Sequence, residues 1–99
     1  MYAVQLDERA KLELEEGLEW YSARSKPVAQ RFFDTTLSCF LSLQITPKRF
    51  AIRYDKVRMA MVKRFPYAIH YQVFDDRKLV LVLAILHASR NPKSRPKTK

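Results

Sequence analysis

The run VRMAMVKRFPYAIHYQVFDDRKLVLVLAILHASRN, residues 57–91, decides how this 99-residue chain folds. Val57, Met59 and Met61 alternate with Arg58, Ala60 and Val62; Tyr67, Ile69, Tyr71 and Val73 alternate with Ala68, His70, Gln72 and Phe74. Successive strand side chains point to opposite faces, so both runs predict β-strands with one face toward a core. Phe65-Pro66 turns the chain between them, and Asp75-Asp76-Arg77-Lys78 is a polar four-residue turn suited to a hairpin. Leu79 to Leu86 is apolar at every position, which predicts a central strand covered on both faces. On alternation His87 falls with Leu79, Leu81, Leu83 and Ile85, just past the apolar part of that strand.

Working outward, Tyr2, Val4 and Leu6 alternate with Ala3 and Gln5 in a short first strand. Asp7 stands where a helix N-cap belongs, and Glu8 follows in the first turn, where the helix dipole favours an anion. Ala10, Leu14, Leu18 and Tyr21 then recur at helical spacing, with Gly17 on the same side. A helical glycine costs about 1 kcal/mol relative to alanine, so Gly17 implies close approach by a neighbouring element. Glu13, Glu15, Glu16 and Glu19 read as a solvated face. Ser25-Lys26-Pro27 breaks the chain and starts a second helix, whose apolar stripe runs through Ala29, Phe32, Phe33, Thr36, Leu37, Phe40 and Leu43. So short a break makes the two helices an antiparallel hairpin. Residues 45–56 read as a loop, with Phe50 and Tyr54 pinning it down. The expected fold is α+β, in the order β-α-α-β-β-β, with the helical hairpin on one face of a mostly antiparallel twisted sheet. Residues 1–91 form the expected single domain, and the basic segment 92–99 an expected disordered tail.

Composition narrows the function. The chain is 47% hydrophobic, enough for a core without staples, and Cys39 is its only cysteine, so no internal disulfide can form. No run approaches the ~20 apolar residues of a membrane span, and MYAVQLDERA lacks a signal-peptide layout; the expected location is the cytoplasm. Residues 1–45 hold five basic and seven acidic residues, a net −2, whereas residues 46–99 hold fourteen basic and three acidic, a net +11. That asymmetry implies an anionic partner for the second half. With one glycine there is no Gly-rich phosphate loop, and no His/Cys spacing suggests a metal. No cofactor is expected.

Four patches resemble a known family: Leu14-Glu15-Glu16 with Glu19-Trp20-Tyr21; Arg31-Phe32-Phe33-Asp34; Pro47-Lys48-Arg49-Phe50; and Lys63 to Tyr71 continued by Leu86-His87-Ala88-Ser89-Arg90-Asn91-Pro92. Together, over roughly residues 3 to 92, they resemble the RelE/ParE superfamily of toxins from bacterial type II toxin–antitoxin systems. Ala88, Ser89 and Asn91 depart from the family's usual ending, while His87, Arg90 and Pro92 keep their places. The resemblance implies a toxin neutralised by a cognate antitoxin, as part of a toxin–antitoxin hetero-oligomer. It leaves two targets: DNA gyrase, poisoned by ParE-like members of the plasmid-stabilisation type, or the ribosome, where RelE-like members cleave mRNA.

Metal-free RNA cleavage needs a base, a phosphate clamp and an acid. Candidate parts are His87 or His70 as acid or base, with Arg58, Lys63, Arg64 and Arg90 as phosphate-binding cations; Tyr71 is a weaker candidate. His70 reads more simply as an ordinary sheet-surface side chain. If the protein is an endoribonuclease, His87, Arg90 and Arg64 are the expected catalytic set. If it only binds its target, Arg58, Lys63, Arg64, His87 and Arg90 are the expected contacts. Met59 and Met61 offer an adaptable apolar surface for the antitoxin. The last strand is apolar up to His87 and has no acidic residue, which leans toward the gyrase-binding mode. A third reading, from charge alone, is a non-toxic nucleic-acid-binding module.

Overall fold

The computed structural model describes residues 1–88 and Pro96. Its elements are β1 (Ala3–Leu6), α1 (Glu8–Ser22), α2 (Lys26–Ile45), β2 (Ile52–Tyr54), β3 (Val57–Met61), β4 (Tyr67–Phe74), a 3-10 turn (Asp75–Arg77) and β5 (Leu79–His87). The sheet order is β1-β5-β4-β3-β2. β1 runs parallel to β5, and the other pairings are antiparallel. This is the expected α+β arrangement with one more strand. The segment read as a loop contains β2, whose Ile52 pairs with Arg58 and Tyr54 with Val57 across a register irregularity. Three residues are too few for alternation to register in the sequence.

Both helices start as their capping residues dictate. The Asp7 carboxylate accepts from the Glu8 amide at 3.0 Å, and the Ser25 hydroxyl from the Val28 amide at 3.4 Å, with Pro27 in the first turn. Ala10 and Gly17 of α1, and Ala29, Phe32, Thr36 and Leu43 of α2, are buried. One cluster joins Ala10, Phe32 and Leu43 to Ala60, Val62, Tyr67, Ile69, Tyr71, Val80, Val82 and Ile85. Gly17 does mark a close approach. A Cβ built there would lie 3.0 Å from Phe32 Cε2 and 3.5 Å from the Tyr67 hydroxyl.

Two further expectations change within the fold. Glu13 does not belong to the solvated acidic face. Its side chain is 11% exposed, and its Oε1 accepts from the Ile85 amide at 2.9 Å. β1 ends opposite Val82, so three residues further along β5 a helix carboxylate takes the place of a neighbouring strand. The alternation along β5 also breaks. His70 pairs with Ala84 but Tyr71 with Val82, leaving Leu83 as a bulged extra residue. Leu79 and Leu81 therefore pair with Phe74 and Gln72, whereas Ile85 and His87 pair with Ile69 and Tyr67. His87 lies on the helix-side face, opposite to Leu79 and Leu81.

Candidate functional site

The hairpin turn between β3 and β4 is held by the Val62 amide donating to the Tyr67 carbonyl at 2.9 Å and the Phe65 amide donating to the Val62 carbonyl at 3.1 Å. Arg64, third in the turn, has φ 69°. Turns of this shape favour glycine there, and an L-residue costs roughly 1–2 kcal/mol. Lys63 and Arg64 are exposed. The following residue anchors them: the Phe65 ring lies 5.3 Å from both Tyr21 and Phe32, edge-on to each. Pro66 then ties the turn to the end of β5, its carbonyl accepting from the Ala88 amide at 2.7 Å.

His87 sits beside this turn, its ring edge-on to Tyr67 at 5.3 Å. Between the turn and the C-terminal end of α1 lies a cavity of about 310 Å³ lined by Trp20, Tyr21, Pro66, Tyr67 and His87. Trp20 is half exposed, stands at 85° to Tyr21, and is covered on one side by the Arg24 guanidinium, 3.5 Å from the ring centroid. Arg24 is fixed in that position by donating to the Trp20 carbonyl at 2.8 Å. Burial raises the Tyr21 phenol above its usual pKa, so the ring stays neutral in this cavity.

The fold thus brings Lys63, Arg64 and His87 to one end of the molecule and places Arg58 elsewhere. Arg58 pairs with Tyr71 on the helix side of the sheet, and its guanidinium donates to the carbonyls of Phe50 at 2.7 Å and Lys48 at 3.3 Å. Tyr71 is fully buried and donates to the Pro47 carbonyl at 2.7 Å; burial pushes its pKa up to about 12. Together they pin the chain after α2. Arg90 and the tail from Pro92, apart from Pro96, lie outside the described residues. Met59 and Met61 pair with His70 and Ala68 on the opposite face, with Met61 54% exposed. His70 is not the surface side chain expected: it is 3% exposed, and its Nδ1 hydrogen-bonds the Tyr54 hydroxyl at 2.7 Å. The short strand β2, unread in the sequence, supplies that tyrosine.

A second, more open groove of about 570 Å³ runs between α2 and the β3 edge, lined by Ser38, Cys39, Arg49, Phe50, Met61 and Lys63 among others. Burial raises the Cys39 thiol pKa, which keeps it protonated. Along the outer face of α2, Phe33, Leu37, Leu41 and Ile45 recur every fourth residue and are 40%, 44%, 52% and 70% exposed. Among the described residues no group of three or more His, Cys, Asp or Glu could hold a metal, and no helix is long and apolar enough to cross a membrane. The sequence reading missed Trp20 and Arg24 as site residues; the signal was a tryptophan beside the helix end at Glu19-Trp20-Tyr21, four residues before an arginine.

One strand, a helical hairpin and a four-strand block, with basic residues at the sheet end, define the class: a toxin of the RelE/ParE superfamily. Within it the chain belongs to the family described as the ParE toxin of the type II toxin–antitoxin system parDE, whose model matches residues 4–92. A chain of the chromosomal ParDE system from P. aeruginosa is similar at TM-score 0.76 and 18% identity, covering 90% of this chain and 98% of that one. The intact E. coli RelBE complex holds a chain similar at TM-score 0.66 and 19% identity, covering 91% and 100%. The M. tuberculosis RelBE2 complex holds one at 0.56 and 15%, covering 87% and 96%. No curated protein sequence matches.

Proposed function

We propose that this toxin is a ParE-like growth inhibitor that acts by binding DNA gyrase, and that a cognate antitoxin neutralises it. The observation that carries the choice of target is the face of β3 and β4 turned away from the helices. There Met59 pairs with His70 and Met61 with Ala68, and no lysine or arginine occupies these paired positions. Arg58, one of the candidate phosphate-binding cations, is on the other face with its guanidinium engaged by carbonyls. Cleavage without metal needs a base, a clamp and an acid converging on one phosphate. Exposed Lys63 and Arg64 beside His87 and an aromatic cavity suit a contact surface instead, and Arg90 follows them in sequence.

For the antitoxin, the methionine edge and the α2 stripe supply adaptable apolar surface. Both are proposed as its footprint, an assignment independent of the toxin's target. The test of the target is inhibition of gyrase supercoiling by purified toxin, run beside primer extension on translated mRNA. The proposal expects supercoiling loss that free antitoxin reverses, and no cuts in the message. Message cuts that disappear in His87→Ala, with supercoiling intact, would instead establish the ribosome-dependent endonuclease.

A further inference from the structure

We propose that the cavity bounded by Trp20, Tyr21, Pro66, Tyr67 and His87 is a stacking slot for one unpaired nucleobase, whose flanking phosphates meet Arg24 and Arg64. This goes beyond gyrase inhibition and requires only nucleic acid with an accessible base. At about 310 Å³ the cavity lies at the lower end of the ~300–1,000 Å³ range of ligand sites, which suits a single flat ring system. Its walls are flat: four aromatic rings and a proline. Bases of any identity stack on such surfaces, because each has a π face.

The rim fixes the charge of the occupant. Arg24 is stacked on Trp20 and held there by the Trp20 carbonyl, so its guanidinium stays beside one of the lining rings. Lys63 and Arg64 are exposed on the turn that also supplies Pro66. The structure places them there at a backbone cost, since Arg64 occupies the left-handed region with a full side chain. An occupant that is both flat and anionic is a nucleotide within a strand. An apolar side chain of a protein partner would fill the walls and leave Arg24 and Arg64 unused.

Trp20 is the only tryptophan in the chain, so binding reports itself in intrinsic fluorescence. The full-length protein is titrated with a short single-stranded oligothymidylate, with an abasic strand of equal length and charge, and with purified antitoxin. A base slot predicts quenching by the intact strand and an affinity roughly 5- to 100-fold above the abasic strand. His87→Ala removes that difference, whereas Arg24→Ala weakens both strands. Equal binding of intact and abasic strands would overturn the slot and leave only phosphate attraction. Fluorescence change with antitoxin but not with oligonucleotide would assign the cavity to a protein side chain. The abasic comparison uses unmutated protein, so it does not depend on a variant folding. Its failure leaves the supercoiling result untouched.

Discussion

At position 64 the backbone adopts φ 69°, yet the residue there is arginine in a chain that has a single glycine elsewhere. Arg64→Gly relieves an unfavourable left-handed residue, worth roughly 1–2 kcal/mol, against an unfolded-state entropy loss of roughly 0.4–1 kcal/mol. The melting temperature should therefore hold or rise by a few degrees, while inhibition of the target falls at least tenfold. Calorimetry and a supercoiling assay on one preparation check both halves; full inhibition by the glycine variant would remove Arg64 from the site. Tyr71 makes the opposite kind of prediction, about stability alone. Its folded pKa of about 12 lies above the usual 10.0 because burial disfavours the phenolate. The unfolded chain gives up that proton first, so the stabilising contribution is present below pH 10 and is lost as the pH rises toward 12. Tyr71→Phe should flatten that alkaline limb in denaturant titrations. It also gives up the bond to Pro47, at about 1 kcal/mol near neutral pH. The sequence singled out Arg64 as a site residue and Tyr71 as a strand residue, but not the conformation of one or the contact of the other. Backbone sign cannot be read from Lys-Arg-Phe-Pro, and burial of Tyr71 against the α2–β2 connection depends on tertiary contact.

Among the elements, α1 is bound to the sheet by a carboxylate and fitted to it by a missing side chain. Glu13→Ala leaves the Ile85 amide without its acceptor and should cost about 1–3 kcal/mol; Glu13→Gln keeps an acceptor and should recover most of it. Chemical denaturation of the two variants distinguishes this role from a mere surface charge, which would show no difference. Gly17→Ala sets a helix-propensity gain of about 1 kcal/mol against a Cβ 3.0 Å from Phe32. Phe32 is wholly buried among Tyr21, Phe65 and Tyr67, so overpacking of about 1–3 kcal/mol wins and the midpoint should drop. The order of elements was legible because alternation, caps and the break at Ser25-Lys26-Pro27 are local signals. β2 and the Leu83 bulge were not, since a three-residue strand has no period and Leu79 to Leu86 offers no polar residue to mark a change of face. Glu13 was misread for a related reason: four glutamates look alike until the end of β1 determines which one faces an unpaired strand.

For the molecule as a whole, the charge asymmetry in the sequence drew attention to the second half, but it could not sort the cations. The fold does so by separating Arg58, bonded to carbonyls, from Lys63 and Arg64 on an exposed turn. The apolar surface was equally hard to assign, because Phe33 and Leu37 read as part of one core stripe with Phe32 and Leu43. In the structure they form the outer edge of that stripe. If this edge and the β3 edge bind the antitoxin, Leu41→Asp and Met61→Asp should each weaken neutralisation, read as the antitoxin dose needed to restore growth, and leave toxicity in its absence unchanged. On this proposal the protein acts by occupying its target rather than by turning over a substrate. A titration of purified gyrase with purified toxin, scored as supercoiling activity against molar ratio, tests it most directly. Inhibition by occupancy predicts activity that falls in proportion to added toxin and reaches its floor near equimolar amounts; full activity at a large molar excess would contradict it.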